Sequence, residues 1–247
     1  MDDDEVLSAI RASFGKDVRL GHDLTIETLE LASDGTLTLA GEVASVAEKK
    51  RALEIAAAPA DVRGVVDRLR VAVASPMSDE EILQHLLSFY LPEPAFEGFT
   101  VRAADIGPEP VSPDFPKVLR EPDEPEGRID IEVRDGVVIL NGEVPGRVSQ
   151  RLAGVMAWWV PGVRDVVNGL APMPPEEDAP IRIEEAVRVV LDRNPYVDDS
   201  QIRIGVRDRT VRLTGLVRSV AERDMAESDA WCVLGVDAVV NELDVSG

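Results

Sequence analysis

The chain has 247 residues and a net charge of -21, because 47 Asp and Glu side chains outnumber 26 Lys and Arg side chains. This acidity disfavours binding to nucleic acids and to anionic lipid surfaces, and a single cysteine excludes an internal disulfide bond. No apolar run approaches the roughly 20 residues of a membrane helix, and the acidic N-terminus does not resemble a secretion signal, so we expect a cytoplasmic protein.

Three segments of the chain each begin with a predicted amphipathic helix, because apolar residues recur there at intervals of three or four. These residues are Val6, Ile10 and Phe14 in the first segment, Ile82, Leu86 and Tyr90 in the second, and Ile183, Val187, Val190 and Leu191 in the third. A strand with period-2 alternation follows each helix. In the first segment Leu29 and Leu31 are out of phase with Leu24 and Ile26, which predicts a β-bulge or an irregular entry into the strand.

A hairpin is predicted next in each segment, and its second strand ends at a glycine. Asp34-Gly35 and Asp135-Gly136 are strong hairpin signals, and Arg209 takes the equivalent position in the third segment. Six residues further on, the three copies have Gly41, Gly142 and Gly215. A second helix then begins, with capping boxes at Ser45 and Ser219.

A valine follows each of these glycines after 21 residues and starts a shared pattern, Val-x-x-Val-Val-Asx-x-Leu. The three valines are Val62, Val163 and Val236. The sequence therefore predicts an α+β fold of three tandem α-β-β-α-β modules, each a small mixed three-stranded sheet with two helices packed on it. The predicted boundaries are 1–75, 76–173 and 174–247. Because a unit of about 65–70 residues buries little surface alone, we expect the modules to pack on one another.

These repeated residues resemble the BON domain, the bacterial osmotic-stress and nodulation domain. The resemblance rests on Leu140-Asn141-Gly142-Glu143-Val144 with Pro161-Gly162-Val163 through Leu170, and on Leu213-Thr214-Gly215 with Gly235-Val236 through Leu243. The first copy has Pro59-Ala60-Asp61-Val62 in place of the Pro-Gly-Val turn. The resemblance implies the α-β-β-α-β fold and a binding or scaffolding role rather than catalysis. It also implies links to phospholipids, to osmotic stress and, in one cytoplasmic member, to potassium.

Residues 91–127 interrupt the second copy and hold eight of the 17 prolines, together with Phe96, Phe99 and Phe115. Proline prevents regular strand pairing and extends the chain. One interpretation is a docking loop whose phenylalanines anchor a partner. The other is an ordered insertion that packs its phenylalanines over an open sheet face of its own protein. Trp159 has no counterpart in the other copies and is a further candidate contact, whereas Trp158 and Trp231 match in position and indicate packing.

Residues that carry chemistry are sparse. The chain has only two histidines, His22 and His85, and Cys232 follows a tryptophan in a helix, as buried cysteines often do. Acidic clusters lack the calcium-loop spacing, and the 22 arginines and four lysines are scattered. We therefore predict no catalytic residues, no metal site and no cofactor.

These observations predict a non-catalytic binding or scaffold protein that contacts a protein partner, or a second copy of itself, through the insertion and the faces between modules. The first alternative is a cytoplasmic sensor of a monovalent cation such as potassium or of a small ligand. Peripheral phospholipid binding is a weaker alternative, because the net charge opposes it. We expect no nucleic-acid partner.

Overall fold

The computed structural model describes residues 3–21, 24–103 and 117–246. The chain divides into two compact units, Met1–Ala72 and Val73–Gly247. The first unit holds one α-β-β-α-β module and the second unit holds the other two. The fold class of tandem α-β-β-α-β modules is confirmed, and the boundaries predicted above stay predictions.

Unit 1 is one module with a three-stranded sheet in the order β1-β2-β3. Its elements are α1 (Asp3–Lys16), β1 (Thr25–Leu31), β2 (Thr36–Val43), α2 (Val46–Ala57) and β3 (Gly64–Val71). The hairpin strands β1 and β2 are antiparallel, and the crossover through α2 makes β3 parallel to β2. The register shifts between Ile26 and Thr28, so the predicted bulge or irregular entry is confirmed at this position.

Unit 2 contains a five-stranded sheet in the order β5-β4-β6-β7-β8 and a three-stranded sheet in the order β11-β10-β9. The first of its two modules comprises α3 (Asp79–Tyr90), β4 (Phe99–Ala103), β5 (Lys117–Arg120), β6 (Gly127–Arg134), β7 (Val137–Val144), α4 (Gly146–Trp158) and β8 (Asp165–Pro172). The second comprises α5 (Pro180–Arg193), β9 (Ile202–Arg207), β10 (Thr210–Val217), α6 (Val220–Cys232) and β11 (Ala238–Val245).

The helices of unit 2 lie between its two sheets. Helices α3 and α4 pack on the five-stranded sheet, α5 and α6 pack on the three-stranded sheet, and α4 contacts both α5 and α6. One continuous apolar core runs through both modules. Eight consecutive residues of α4, Gln150 to Ala157, are buried, because a helix packed on two sides has no face left for solvent.

The three glycines predicted to be equivalent occupy the same register position in the three sheets. Each faces an isoleucine of the preceding strand and the leucine that ends the shared pattern in the following strand. A Cβ on Gly41 would lie 1.9 Å from the Thr25 carbonyl oxygen, and Gly142 and Gly215 meet carbonyl oxygens at 2.1 and 1.9 Å. Only glycine therefore allows the hairpin strands to approach this closely.

Candidate binding surfaces

The three-stranded sheet of unit 2 has an outer face that its helices leave open. Side chains alternate along a strand, so buried Val211 and Leu213 point to the helices while Arg212 and Thr214 point away. The register places Arg203 beside Thr214 and Arg207 beside Thr210 on the same face. A shallow groove of about 550 Å³ crosses it, lined by Gly205, Val206, Arg207, Asp208, Thr210, Arg212 and Val240.

The outer face of the five-stranded sheet is also rich in charge. Arg128 and Arg102 both approach the carboxylate of Asp130, with Nε–O distances of 3.0 and 3.8 Å, and Arg134 pairs with Glu132. Exposed apolar side chains flank this row: Val118 is 46% exposed and Val167 is 49% exposed. Arginine beside accessible apolar groups is typical of surfaces that bind other proteins.

The described residues of the insertion contribute two strands to this sheet. Strand β4 pairs parallel to β6 and strand β5 pairs antiparallel to β4, so the sheet gains two strands that the other modules lack. Arg120 of β5 holds the base of the insertion, because its Nε donates to the Phe99 carbonyl at 3.1 Å and its Nη1 donates to the Leu91 carbonyl at 2.8 Å.

The phenylalanines of the insertion do not form an accessible anchor in the described structure. Phe96 is 0% exposed and Phe99 is 1% exposed, and their rings stack with centroids 5.5 Å apart beside Tyr90. The prediction of surface anchors at these two positions therefore needs correction, since burial in the core accounts for both rings. Phe115 lies outside the described residues.

Trp159 is half-buried and bridges the two modules of unit 2. Its indole Nε1 donates to Asp229 Oδ1 on α6 at 2.8 Å. Asn194 Nδ2 donates to the other carboxylate oxygen at 2.7 Å. Burial raises the pKa of Asp229, although these two hydrogen bonds act in the opposite direction. Trp159 thus has a contact within the unit, and its predicted contact with a partner stays a prediction.

Arg151 on α4 makes a second bridge between these modules, and its side chain is 1% exposed. Its Nε donates to the Leu234 carbonyl at 2.7 Å, and its guanidinium pairs with Asp178 in the segment before α5. Burial acts to raise the pKa of Asp178, but the bonds and charge of Arg151 outweigh it and the pKa is lowered. These contacts fasten the second module of the unit to α4.

The Asx residue of the shared pattern has the same function in each module, which the sequence analysis did not identify. Asp67, Asn168 and Asn241 each accept a hydrogen bond through Oδ1 from the leucine amide two residues later, at 2.9, 3.3 and 3.1 Å. Each leucine lies in an edge strand, β3, β8 or β11. The Asx side chain therefore caps a backbone donor that would otherwise face the open side of the sheet.

The described residues contain no group of three or more His, Cys, Asp or Glu side chains that could hold a metal ion. His85 is exposed on α3, whereas His22 lies outside the described residues. Cys232 is half-buried and, as the single cysteine of the sequence, is in no internal disulfide bond. Within the described ranges, no helix has both the length and the apolar character needed to cross a membrane.

A family model described as BON domain matches residues 2–73, 117–171 and 182–247, which is most of the chain. BON domains are non-catalytic binding domains. No curated protein matches the chain. Among solved structures, two of CdsD, a structural protein of the type III secretion system of Chlamydia trachomatis, are 14% identical with a TM-score of 0.25. One is its C-terminal domain, with 100% of both chains covered, and the other alignment covers 98% of this chain and 92% of that one. Scores this low carry no argument about this protein.

Proposed function

The chain belongs to the BON domain family, and from this premise we propose that it is a scaffold that binds protein partners through the outer sheet faces of unit 2. The observation that carries the proposal is the position of the helices between the two sheets. This arrangement turns both outer faces away from the shared core, so that one compact body presents two separate surfaces. A body with two such surfaces can hold two partners at a fixed separation.

The composition of the outer faces supports protein binding. The face of the three-stranded sheet combines Arg203 and Arg207 with Leu216, which is 44% exposed. Arg203 and Arg207 are both exposed. Guanidinium groups offer several donors in a fixed plane, which suits carboxylate side chains of a partner.

The insertion also supports protein binding, but through the residues of its strands and not through the predicted phenylalanine anchors. Its strands β4 and β5 widen the outer face of the five-stranded sheet, and they bring Arg102 and Val118 to that face. We therefore assign the insertion to the contact surface through these two side chains. Phe96 and Phe99 are buried in the core of unit 2 and anchor the insertion there.

Site-specific photo-crosslinking in the native host tests the proposal. A photoreactive residue is placed at Asn141 on one face and at Thr214 on the other, with Gln84 and Ser228 on exposed helix positions as matched controls. We expect discrete protein adducts from both sheet positions and none from the helix positions. A partner captured at Thr214 should, when purified, bind wild type and lose affinity for the Arg203→Glu, Arg207→Glu double variant, which changes the same sheet face. Adducts that form only at the helix positions would place the binding surface elsewhere.

The sensor and phospholipid alternatives stay predictions, and two measurements separate them from protein binding. Melting in potassium, sodium and lithium salts at equal ionic strength should give equal midpoints if no cation is selected. Flotation with vesicles of anionic phospholipid should leave the protein unbound, because the net charge is -21. A potassium-specific shift or a bound vesicle fraction would favour the respective alternative.

A further inference from the structure

The edge strands of the three modules are protected to different extents. At the end of β8, the Met173 amide donates to the Val144 carbonyl of β7 at 2.8 Å. The backbone groups of Met173 therefore point towards β7. Since backbone groups alternate sides along a strand, the residues facing the open side are Val166, Asn168, Leu170 and Pro172.

Most of the outward donors of β8 are already occupied or absent. The Val166 amide donates to Asp165 Oδ1 at 2.9 Å, the Leu170 amide donates to Asn168, and Pro172 has no amide hydrogen. The Leu170 carbonyl also accepts a hydrogen bond, from Gln150 Nε2 of α4 at 2.5 Å. Strand β8 thus offers little to an additional strand.

Strand β3 of unit 1 has the same protection at its leucine. The Leu69 amide donates to Asp67, and the Leu69 carbonyl accepts from Lys49 Nζ at 2.9 Å. Lys49 occupies the position in α2 that Gln150 occupies in α4, eight residues after Gly41 and Gly142 respectively. Two of the three modules therefore cap both backbone groups of this leucine.

Strand β11 has only half of this protection. The Ser246 amide donates to the Val217 carbonyl at 2.8 Å, so Val239, Asn241, Leu243 and Val245 face the open side. Asn241 caps the Leu243 amide, but the position of Lys49 and Gln150 is taken by Arg223, whose guanidinium pairs with Asp224 instead. In the described part of the chain, the Leu243 carbonyl and the other three outward amides have no hydrogen-bond partner.

We infer that β11 is a docking edge, where an extended segment of a partner protein adds a strand to the three-stranded sheet. Main-chain hydrogen bonds supply the affinity in this kind of recognition, and alternate side chains supply the specificity. The outer-face side chains of β11 include Asp244 and Glu242, both exposed, and Glu242 also pairs with Arg212 of β10 at 2.8 Å. A partner segment with Lys or Arg at alternate positions complements them, and apolar residues between these fit beside Val239 and Val245.

The same charges argue against a second copy of this chain as the occupant. Antiparallel pairing of two β11 strands would bring Glu242 and Asp244 of each copy close together, and like charges on paired strands are destabilising. Both copies also carry a net charge of -21. The inference concerns a sheet edge, so it can fail while the proposed binding by the sheet faces holds, and the reverse is also true.

The probe is a synthetic peptide of about eight residues that alternates valine with lysine or arginine, added to the full chain. Hydrogen exchange followed by NMR should show new protection of the Val239, Asn241 and Val245 amides on binding. A peptide with the same sequence and charge but N-methylated at every residue is the matched control, because neither of its edges can donate main-chain hydrogen bonds. We expect its affinity to be at least about tenfold lower.

Three variants complete the test. Arg223→Gln copies the cap found in α4 and should weaken peptide binding several-fold, whereas Arg223→Ala removes the same charge without a cap and should not. Val245→Pro removes an outward amide without breaking a bond to β10 and should also weaken binding. Equal affinity for the methylated peptide, protection confined to β9, or a β11-mediated dimer in sedimentation would each overturn the inference.

Discussion

Helices α2 and α4 are equivalent in sequence position, yet they have different surroundings. In unit 1, α2 buries Lys49, Ala52 and Ala56, one face only. In unit 2, α4 is buried over eight consecutive residues, because the second module of that unit packs on its other side. The pair Glu54 and Val155 shows the difference: each lies 13 residues after its module's glycine, but Glu54 is exposed and Val155 is 0% exposed. Repetition of a fold therefore does not imply repetition of its packing.

The largest effect on stability is expected when each of these two residues is replaced by the other. Val155→Glu places a carboxylate in the shared core of unit 2 without a cationic partner, and we expect a loss of at least about 4 kcal/mol in its free energy of unfolding. Glu54→Val, in the exposed position of unit 1, should change stability by no more than about 0.5 kcal/mol. Urea unfolding followed by circular dichroism measures both. Similar losses in the two variants would mean that the outer face of α2 is also packed.

A glycine substitution tests whether each unit unfolds on its own. Gly41→Ala should destabilise unit 1 by about 3 kcal/mol, because the new Cβ would overlap the Thr25 carbonyl oxygen at 1.9 Å. Gly205→Ala is the control, since a Cβ there meets no atom within 4 Å, and it should be neutral or slightly stabilising. Hydrogen exchange resolved by residue should show the loss of protection confined to unit 1. A loss spread evenly over unit 2 would show that the units unfold together.

The pH dependence of stability should differ between the units. Hydrogen bonds from Arg51 hold the pKa of Asp17 in unit 1 well below its usual range. Its contribution to stability is therefore present above about pH 4 and is lost as the pH falls further. Burial raises the pKa of Asp229 in unit 2, so its contribution is fullest below about pH 4 and is lost as the pH rises through the raised pKa.

Two neutral variants separate these opposite effects. In Asp17→Asn, the free energy of unfolding of unit 1 should fall less steeply as the pH decreases below about 4. In Asp229→Asn, the free energy of unfolding of unit 2 should fall less steeply as the pH rises. Denaturant titrations over a pH series, read by hydrogen exchange in each unit, give both profiles. An unchanged acid limb in Asp17→Asn would show that the ion pair with Arg51 does not set it.

The smallest expected effect concerns the hairpin turns. Gly35 and Gly136 have φ of 85° and 74°, whereas the third module places Arg209 in the same left-handed region at 64°. An L-residue is disfavoured there, so Arg209→Gly should stabilise unit 2 by about 0.5–1 kcal/mol despite losing the exposed ion pair with Asp237. Thermal unfolding measures the gain. A lower melting temperature would show that the Asp237 ion pair outweighs the backbone strain.

Much of the fold could be predicted because its determinants are local. The register shift in β1 and the helix N-caps at Ser45 and Ser219 follow from residues a few positions apart, and the structure has all three. The two extra strands of the insertion were not predicted. The pairing of β4 with β6 depends on a partner distant in sequence, and the prolines around β4 and β5 obscure the alternation of strand residues.

The candidate surfaces were harder to predict for a related reason. The arginines look scattered in sequence because strand residues on one face are separated by residues on the other and by whole elements. Alternation within Ile202-Arg203-Ile204-Gly205-Val206-Arg207 does place two arginines on one face, which was an available signal. The burial of Phe96 and Phe99 was not available, since it depends on how the insertion folds over Tyr90.

The Asx caps of the edge strands bear on how three such similar sheets coexist in one polypeptide. Tandem copies are held at high effective concentration by their linkers, which favours exchange of strands between neighbours during folding. The side chains of Asp67, Asn168 and Asn241 each accept a hydrogen bond from a leucine amide of the edge strand. Because that amide is then occupied, such mispairing is less favourable. The motif by which the repeats are recognised thus also serves to keep them from merging.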